Sequence, residues 1–290
     1  MFESLLIEGL AIGACYGLFG VAIAIIYKTS DVVNFALGEM GMVSTFVAYH
    51  VLTVYGMSPW AAFPSTLVFA ILLGIAIEFC FLRPAKHPTV LGMLIITLGA
   101  EMLLMGLAGW KWGAEQKDFP FVLSVLKTHE ILPGLTLNEW TIGVFTLSVV
   151  IMTLLFLFFR YAKLGIAMRA TQQNLNAAKI VGIKVERIFS ITWAMSSLIG
   201  AIAAMFFAAR SVLDPNFMME PFMRAFAAAV LGGLTSIPGV IVGGLILGTI
   251  ENLFGYAWPE WKPIVAFVII ILIITIRPSG LFARHYVKKV

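Results

Sequence analysis

The chain has 290 residues, of which 61% are hydrophobic and only 12% charged, with a mean hydropathy of +0.99. Soluble domains carry roughly 25% charged residues because polar groups must cover their surface, so this composition excludes a water-soluble enzyme or binding module. The formal net charge of +4 fits basic loops that hold one side of a membrane, not a nucleic-acid partner. The expected fold class is an all-α polytopic membrane protein of about eight to nine transmembrane helices, forming a single transmembrane domain over residues 1–290.

The N-terminal segment MFESLLIEGLAIGACYG carries Glu3 and Glu8 where a leader would carry basic residues. The first apolar run is therefore expected to stay as a span and not to be cleaved as a signal peptide. Apolar runs predict spans over 5–27, 35–55, 59–82 and 89–109. A polar stretch over 110–138 follows, expected as a short outer helix or a loop anchored by Trp110, Trp112 and Trp140 near the interface. Further spans are predicted over 139–159, 188–209, 221–235, 238–256 and 263–276. The run 221–235 is short for a crossing and is also compatible with a re-entrant element buried in protein.

Between the spans at 139–159 and 188–209 lies a basic island, KLGIAMRATQQNLNAAKIVGIKVER, residues 163–187. With that island inside and every run crossing, 13 of the 19 Lys and Arg residues fall on the inner side. The excess on one side places the N-terminus outside and the C-terminus inside, with nine crossings.

Gly9, Gly13 and Gly17 recur every four residues, as do Gly239 with Gly243 and Gly244 with Gly248. Small residues at this spacing let helix backbones approach where lipid offers no hydrophobic driving force. The same stripes would also serve helices lining a moving pathway. Pro238, within LGGLTSIPGVIVGG, ends or breaks a helix, as a turn or as part of a discontinuous helix near a substrate route.

Ionisable groups inside apolar runs are functional candidates. They are Glu39, Glu78, Glu101 and Glu251, with Asn34 and Asn252 nearby. Glu39 stands at a helix start, where a carboxylate suits the positive end of the dipole. Glu78 is within reach of Arg83, and Glu101 lies one turn after Thr97. Asn34, Thr97, Glu101 and Asn252 are taken as pathway candidates. Cys15 and Cys80 are read as small core residues. No His, Cys or carboxylate set has metal or nucleophile spacing, so no catalytic residue, bound cofactor or metal is expected.

In the basic island, Arg169, Gln172, Gln173 and Asn176 fall on one face at helical spacing, and Ala170, Ala177, Ala178 and Val181 on another. Asn174 is placed to cap a short helix that Gly182 closes. A face made mainly of alanine is too small to anchor in lipid and suits a protein groove.

NAAKIVG, residues 176–182, resembles the EAA motif of ABC importer permeases, with Asn176 in place of the glutamate. That change puts in doubt any ion pair made by the family's glutamate. DVVNFALGEMGM, GIAMRATQQNLNAAKIVGIKVERI, FAAAVLGGLTSIPGVIVGG and RPSGLF, in this order, extend the likeness from Gly9 to Phe282. Together they resemble the branched-chain amino acid permease family of the LivH type. The resemblance implies an inner-membrane permease subunit of a bacterial ATP-driven importer that works by alternating access. The implied cargo is branched-chain or other hydrophobic amino acids; urea, short amides and aromatic carboxylates remain open alternatives.

Implied partners are a second homologous permease, two ATPase subunits and a periplasmic substrate-binding protein, besides membrane lipid. The implied coupling helix holds Arg169, Gln173, Asn174, Asn176, Ala177, Ala178 and Gly182 against an ATPase cleft. ATP and Mg would be bound by those partners, since this chain has no G-x-x-x-x-G-K-[ST] sequence. A stand-alone secondary transporter would need a mid-membrane polar cluster, of which only Glu101 is well placed. A membrane enzyme lacks a catalytic constellation.

Overall fold

A computed structural model describes the chain except residues 1, 86–88, 133–134, 278 and 283–290. Lys86, Arg284, Lys288 and Lys289, used in the orientation argument, lie outside the described residues, as does part of the RPSGLF motif. The chain is mostly helical. In order, the helices are α1 Phe2–Ser30, α2 Leu37–Thr53, α3 Pro59–Ile77, α4 Val90–Trp112, α5 Glu139–Tyr161, α6 Lys163–Gln173, α7 Leu175–Ile180, α8 Val185–Ala208, α9 Met219–Gly232, α10 Ile237–Ala257 and α11 Lys262–Ile276. Every apolar run read from the sequence is a helix, with ends shifted by a few residues.

Six helical stretches are long and apolar enough to cross a membrane: Phe2–Ser30, Pro59–Leu82, Val90–Trp112, Glu139–Tyr161, Val185–Ala208 and Ile237–Ala257. The chain is thus a polytopic membrane protein. The second of these stretches continues α3 through a π-helical turn, Glu78–Leu82. The 17 residues of α2, 14 of α9 and 15 of α11 are shorter. At about 1.5 Å per residue they reach roughly 21–26 Å, below the ~30 Å of a hydrocarbon core.

The expectation of an all-helical chain is corrected at one place. Thr128–Leu132 (β1) and Leu135–Asn138 (β2) pair antiparallel, Thr128 opposite Asn138 and His129 opposite Leu137, with an irregularity between Glu130 and Leu132. The polar stretch before α5 therefore holds a ribbon where an outer helix or loop was expected. Its sequence carries part of the reason: LTLN alternates apolar and polar residues, which is the period of a strand, and a Pro-Gly pair stands between the two runs. Lys117 and Leu213 form an isolated antiparallel bridge.

The described residues group into two compact units. The first comprises 1–24, 125–156 and 223–290, and the second 25–124 and 157–222. In the first unit the two glycine stripes predicted to pack do so against each other. A Cβ added at Gly13 would stand 2.7 Å from the Gly244 carbonyl oxygen and 2.8 Å from Leu245 Cα, and one at Gly9 would stand 2.9 Å from Thr249 Cα. Gly248 meets the Gly13 backbone in the same way. Such backbone-to-backbone approach lets dispersion hold α1 to α10 where no water need be expelled. Gly20 continues the contact with Val240 and Ala225, so residues 13–24 of α1 are buried throughout. At the turn between α9 and α10, Ser236 caps α10 by accepting a bond from the Gly239 N–H at 3.2 Å. The turn reading of Pro238 holds, because proline occupies the first helical turn, where its missing N–H costs nothing.

In the second unit, Gly74 and Gly41 let α3 and α2 approach α8. A Cβ at Gly41 would stand 2.9 Å from Ala204 Cβ, and one at Gly74 2.9 Å from Ser197 Cβ. The junction between α1 and α2 is irregular but buried. Asp31 has φ +55°, and Val32, Asn34 and Ala36 are buried. Cys15 is buried as expected, whereas Cys80 is exposed; both are free thiols.

Candidate functional site

Three arrangements carry polar chemistry in an otherwise apolar molecule. The first is the basic island. The single amphipathic helix expected there is divided by Asn174, whose extended backbone (φ −158°, ψ 106°) ends α6 and begins α7. Asn176 therefore lies on a different helix from Arg169 and Gln173, and Ala177 on a different helix from Ala170. The reason is the competition of a short amide side chain with the helix: Asn174 Oδ1 accepts from the Ala177 N–H at 2.9 Å. The capping role read from the sequence thus holds. So does the closing role of Gly182, at φ +89°, where the N–H groups of Gly182 and Ile183 bond back to Lys179 and Ala178 at 3.0 Å. A left-handed residue after the last turn is the usual helix stop, and glycine adopts it without strain.

Between cap and stop, α7 presents its apolar side chains outward. Ile180 is 87% and Val181 80% exposed. Gln173, Asn174, Asn176 and Ala177 are exposed, whereas Ala178 is buried in the chain's own packing. Arg169 lies on α6, its Nη2 donating to the Arg160 carbonyl at 3.3 Å. The exclusion of lipid argued from an alanine face does not hold here, because the α7 end exposes Ile180 and Val181 and α6 exposes Leu164 and Ile166.

The second arrangement is the irregular entry to α2. Asn34 is fully buried. Its Oδ1 accepts from the Ala36 N–H at 3.0 Å, and its amide nitrogen lies 3.5 Å from Met40 Sδ. Thr97 on α4 is buried and donates to the Leu94 carbonyl at 2.9 Å. Asn34 and Thr97 line one collapsed cavity, too tight for a water molecule, together with Ile26, Val32, Met93 and Trp193. The Trp193 indole N–H is buried with no hydrogen-bond partner among the described residues. Glu101, one turn beyond Thr97, does not line this cavity, but it and Glu39 in the first turn of α2 are near enough to repel. Asn252 belongs to the other unit, where its amide donates to the Leu5 carbonyl at 2.8 Å. Asn34 and Thr97 are thus brought together at one cavity.

The third arrangement comprises two ion pairs, each with a buried carboxylate. Glu78 and Arg83 meet as their spacing suggested, Arg83 Nη2 standing 3.1 Å from Glu78 Oε2. Ser190 on α8 donates to the same carboxylate oxygen at 2.8 Å, tying the end of α3 to α8. The sequence reading missed the other pair. Arg224 on α9 stands 2.9 Å from Glu251 on α10 and donates to the Tyr16 hydroxyl of α1 at 3.1 Å. Arg224 falls within the run predicted over 221–235; the signal that could have found the pair is a lone arginine inside an otherwise apolar helix, which must find an anion. Among the described residues no group of three His, Cys, Asp or Glu could hold a metal ion.

Many apolar helices, glycine-packed backbones, a polar-lined break between two helices and a rigid capped loop define a membrane permease built to move, with its chemistry in packing and passage. The chain belongs to the family of permease components of branched-chain amino acid transport systems, whose sequence profile matches residues 5–274. It is the permease component of an ABC transport system, not itself an enzyme.

It is 29% identical over 300 residues to the high-affinity branched-chain amino acid transport system permease protein BraD of Pseudomonas aeruginosa, covering 98% of this chain and 97% of that one. It is equally 29% identical over 306 residues to the permease protein LivH of Escherichia coli strain K12, covering 100% of this chain and 98% of LivH. A shorter likeness, 27% over 169 residues, joins 56% of the chain to 45% of the xylose/arabinose import permease protein XylH of Sulfolobus acidocaldarius. No solved structure matches the chain.

Proposed function

We propose that this chain forms one half of the translocation pathway of an ATP-driven importer for branched-chain or other hydrophobic amino acids. The observation that carries the reading is the full-length likeness to permeases named for that cargo, in Pseudomonas and in Escherichia. The collapsed cavity beside Asn34 and Thr97 has walls that are apolar apart from an asparagine and two hydroxyls, so it would take such a cargo only once the helices part.

The loop 163–187 is the coupling element. The α7 tip, with Gln173, Asn174, Asn176, Ala177 and Gly182, inserts into an ATPase cleft. Buried Ala178 fixes the tip to α8, and Arg169 stands at the root. Held by a cap at one end and a left-handed glycine at the other, the tip transmits a push without first having to order. The ATPase pair binds ATP and Mg, a second homologous permease completes the pathway, and a periplasmic protein delivers substrate. All nine apolar helices, including α2, α9 and α11, cross the inner membrane as one domain, with the N-terminus periplasmic and the C-terminus cytoplasmic.

Co-expression with the ATPases and vesicle uptake test this reading. Ala177→Trp and Val181→Glu should abolish co-purification and ATP-driven uptake while the permease still folds. Active uptake by the purified chain alone would overturn it. The cargo is tested on the partner binding protein: preference for urea, a short amide or an aromatic carboxylate over leucine would replace the amino-acid assignment.

A further inference from the structure

The segment EFCFLR, residues 78–83, ends α3 with one residue more than an α-helical turn would hold. Residues five apart on an α-helix point about 140° away from each other, so Glu78 and Arg83 could not pair there. The π-helical turn removes that obstacle. Its Arg83 N–H donates to the Glu78 carbonyl at 2.9 Å, five residues back, and the two side chains come round to one face. The guanidinium meets the carboxylate with two nitrogens, Nε 3.3 Å from Oε1 and Nη2 3.1 Å from Oε2, a fork that fixes orientation as well as charge. Nη2 also donates to Ser190 Oγ at 2.8 Å, and that hydroxyl donates to Glu78 Oε2 at 2.8 Å. The guanidinium rests over the Phe79 ring, 4.9 Å from its centroid. Extra residue, ion pair and serine thus close into one ring of contacts between α3 and α8.

Ser190 lies just beyond Arg187, where the loop 163–187 has run into the first turns of α8. One turn further along α8, a Cβ added at Gly74 of α3 would stand 2.5 Å from the Trp193 carbonyl oxygen. α3 and α8 are therefore joined twice, by a seam of close backbones and by a polar clasp at the end nearest the loop. The seam is enough to hold two helices together in lipid, and a carboxylate buried with an arginine adds little net stability. What the clasp adds is a fixed register. Packed helices shear past one another at small cost, whereas a forked, serine-bridged pair must break before α3 can slide on α8.

We infer that Glu78, Arg83 and Ser190 are positioning residues for transport: the clasp makes the end of α3 follow α8 when the loop 163–187 is displaced. The inference rests on the reading of that loop as the coupling element. With the clasp closed, a push on the loop reaches both helices. With it broken, α8 shears along α3, and ATP is hydrolysed without the pathway moving.

The test is the importer co-expressed with its ATPases and assayed in vesicles for ATP hydrolysed per leucine carried. Ser190→Ala keeps the ion pair and the seam. It should raise that ratio severalfold, up to the roughly tenfold that a hydroxyl–carboxylate bond is worth in an equilibrium constant. Thr192→Val is the control, because that buried hydroxyl bonds within α8, to the Ile188 carbonyl at 2.7 Å; its ratio should stay at the wild-type value. In a Cys80→Ser background, Glu78→Cys with Ser190→Cys should show the raised ratio when reduced. Joining the two thiols with a short bis-methanethiosulfonate crosslinker should bring the ratio back, which a merely stabilising role would not predict. An unchanged ratio in Ser190→Ala or in the reduced double variant would overturn the inference, as would an equal rise in Thr192→Val. Uptake abolished by the crosslink would also overturn it, since α3 and α8 would then have to part. Wild-type vesicles without ATP-driven uptake would overturn the transport reading, and this inference with it.

Discussion

Replacing Gly244 by alanine adds one methyl group at the crossing of α1 and α10. That Cβ would stand 2.5 Å from Gly17 Cα and 2.7 Å from the Gly13 carbonyl oxygen. Carbon atoms pack at about 3.5–4.0 Å, so the two backbones must part by roughly 1 Å. Neither neighbour can swing aside, because both are main chain. A gap of that size forfeits about a quarter to a half of each dispersion contact along the seam, and overpacking of this kind costs about 1–3 kcal/mol. A loss near 2 kcal/mol corresponds to a melting temperature lower by about 4–8 °C, scaling from large soluble domains.

Thermal ramping of the detergent-purified chain, followed by size-exclusion recovery, reads this directly. Gly106→Ala on α4 is the control: nothing lies within 4 Å of its added Cβ, and alanine should favour the helix by about 0.5–1 kcal/mol. If Gly244→Ala melts as high as Gly106→Ala and the wild-type chain, the glycine seam is not what holds these helices together.

Other outcomes follow from the polar groups. Glu251→Leu removes the charge partner of Arg224 and should cost about 3–5 kcal/mol, whereas Arg224→Met with Glu251→Leu should recover most of it; equal melting of single and double variants would contradict a stabilising pair. Asn174→Ala should cost α7 about 1 kcal/mol, speed amide exchange at Ala177 and lower ATP-driven uptake, while Asn174→Asp retains both; unchanged exchange in the alanine variant would refute the cap. Asn34→Leu strips the Ala36 N–H of its acceptor, at about 1–3 kcal/mol, and should depress uptake in vesicles. Thr97→Val loses the hydrogen bond to the Leu94 carbonyl, at about 0.5–1.5 kcal/mol, and should raise the KM for leucine; an unaltered KM would remove Thr97 from the pathway.

The helices were legible because lipid leaves the backbone one economical way to satisfy itself, and a run of apolar residues is then enough to locate each of them. The glycine stripes were legible as packing surfaces, though spacing could not say that Gly13 faces Gly244. The cap at Asn174 and the stop at Gly182 were visible because both act within four residues. What the sequence hid is non-local or finely balanced. The Arg224–Glu251 pair joins separate helices, and no local pattern announces it. The ribbon at Thr128–Asn138 was read through because a polar stretch between spans has no period long enough to weigh against a loop. The cavity shared by Asn34 and Thr97 depends on how α1, α2 and α4 meet.

The glycine seam also sets an order of events. α1 leaves the ribosome well before α10, so the backbone it is shaped to meet, at Gly244 and Gly248, is made more than 200 residues later. During synthesis the bare stripe of Gly9, Gly13 and Gly17 must wait in lipid, able to pair with any other small-residue helix it meets. A chain arrested before α10 would keep that stripe uncovered, so an incomplete permease should be sticky and short-lived in the membrane, and only the finished one quiet.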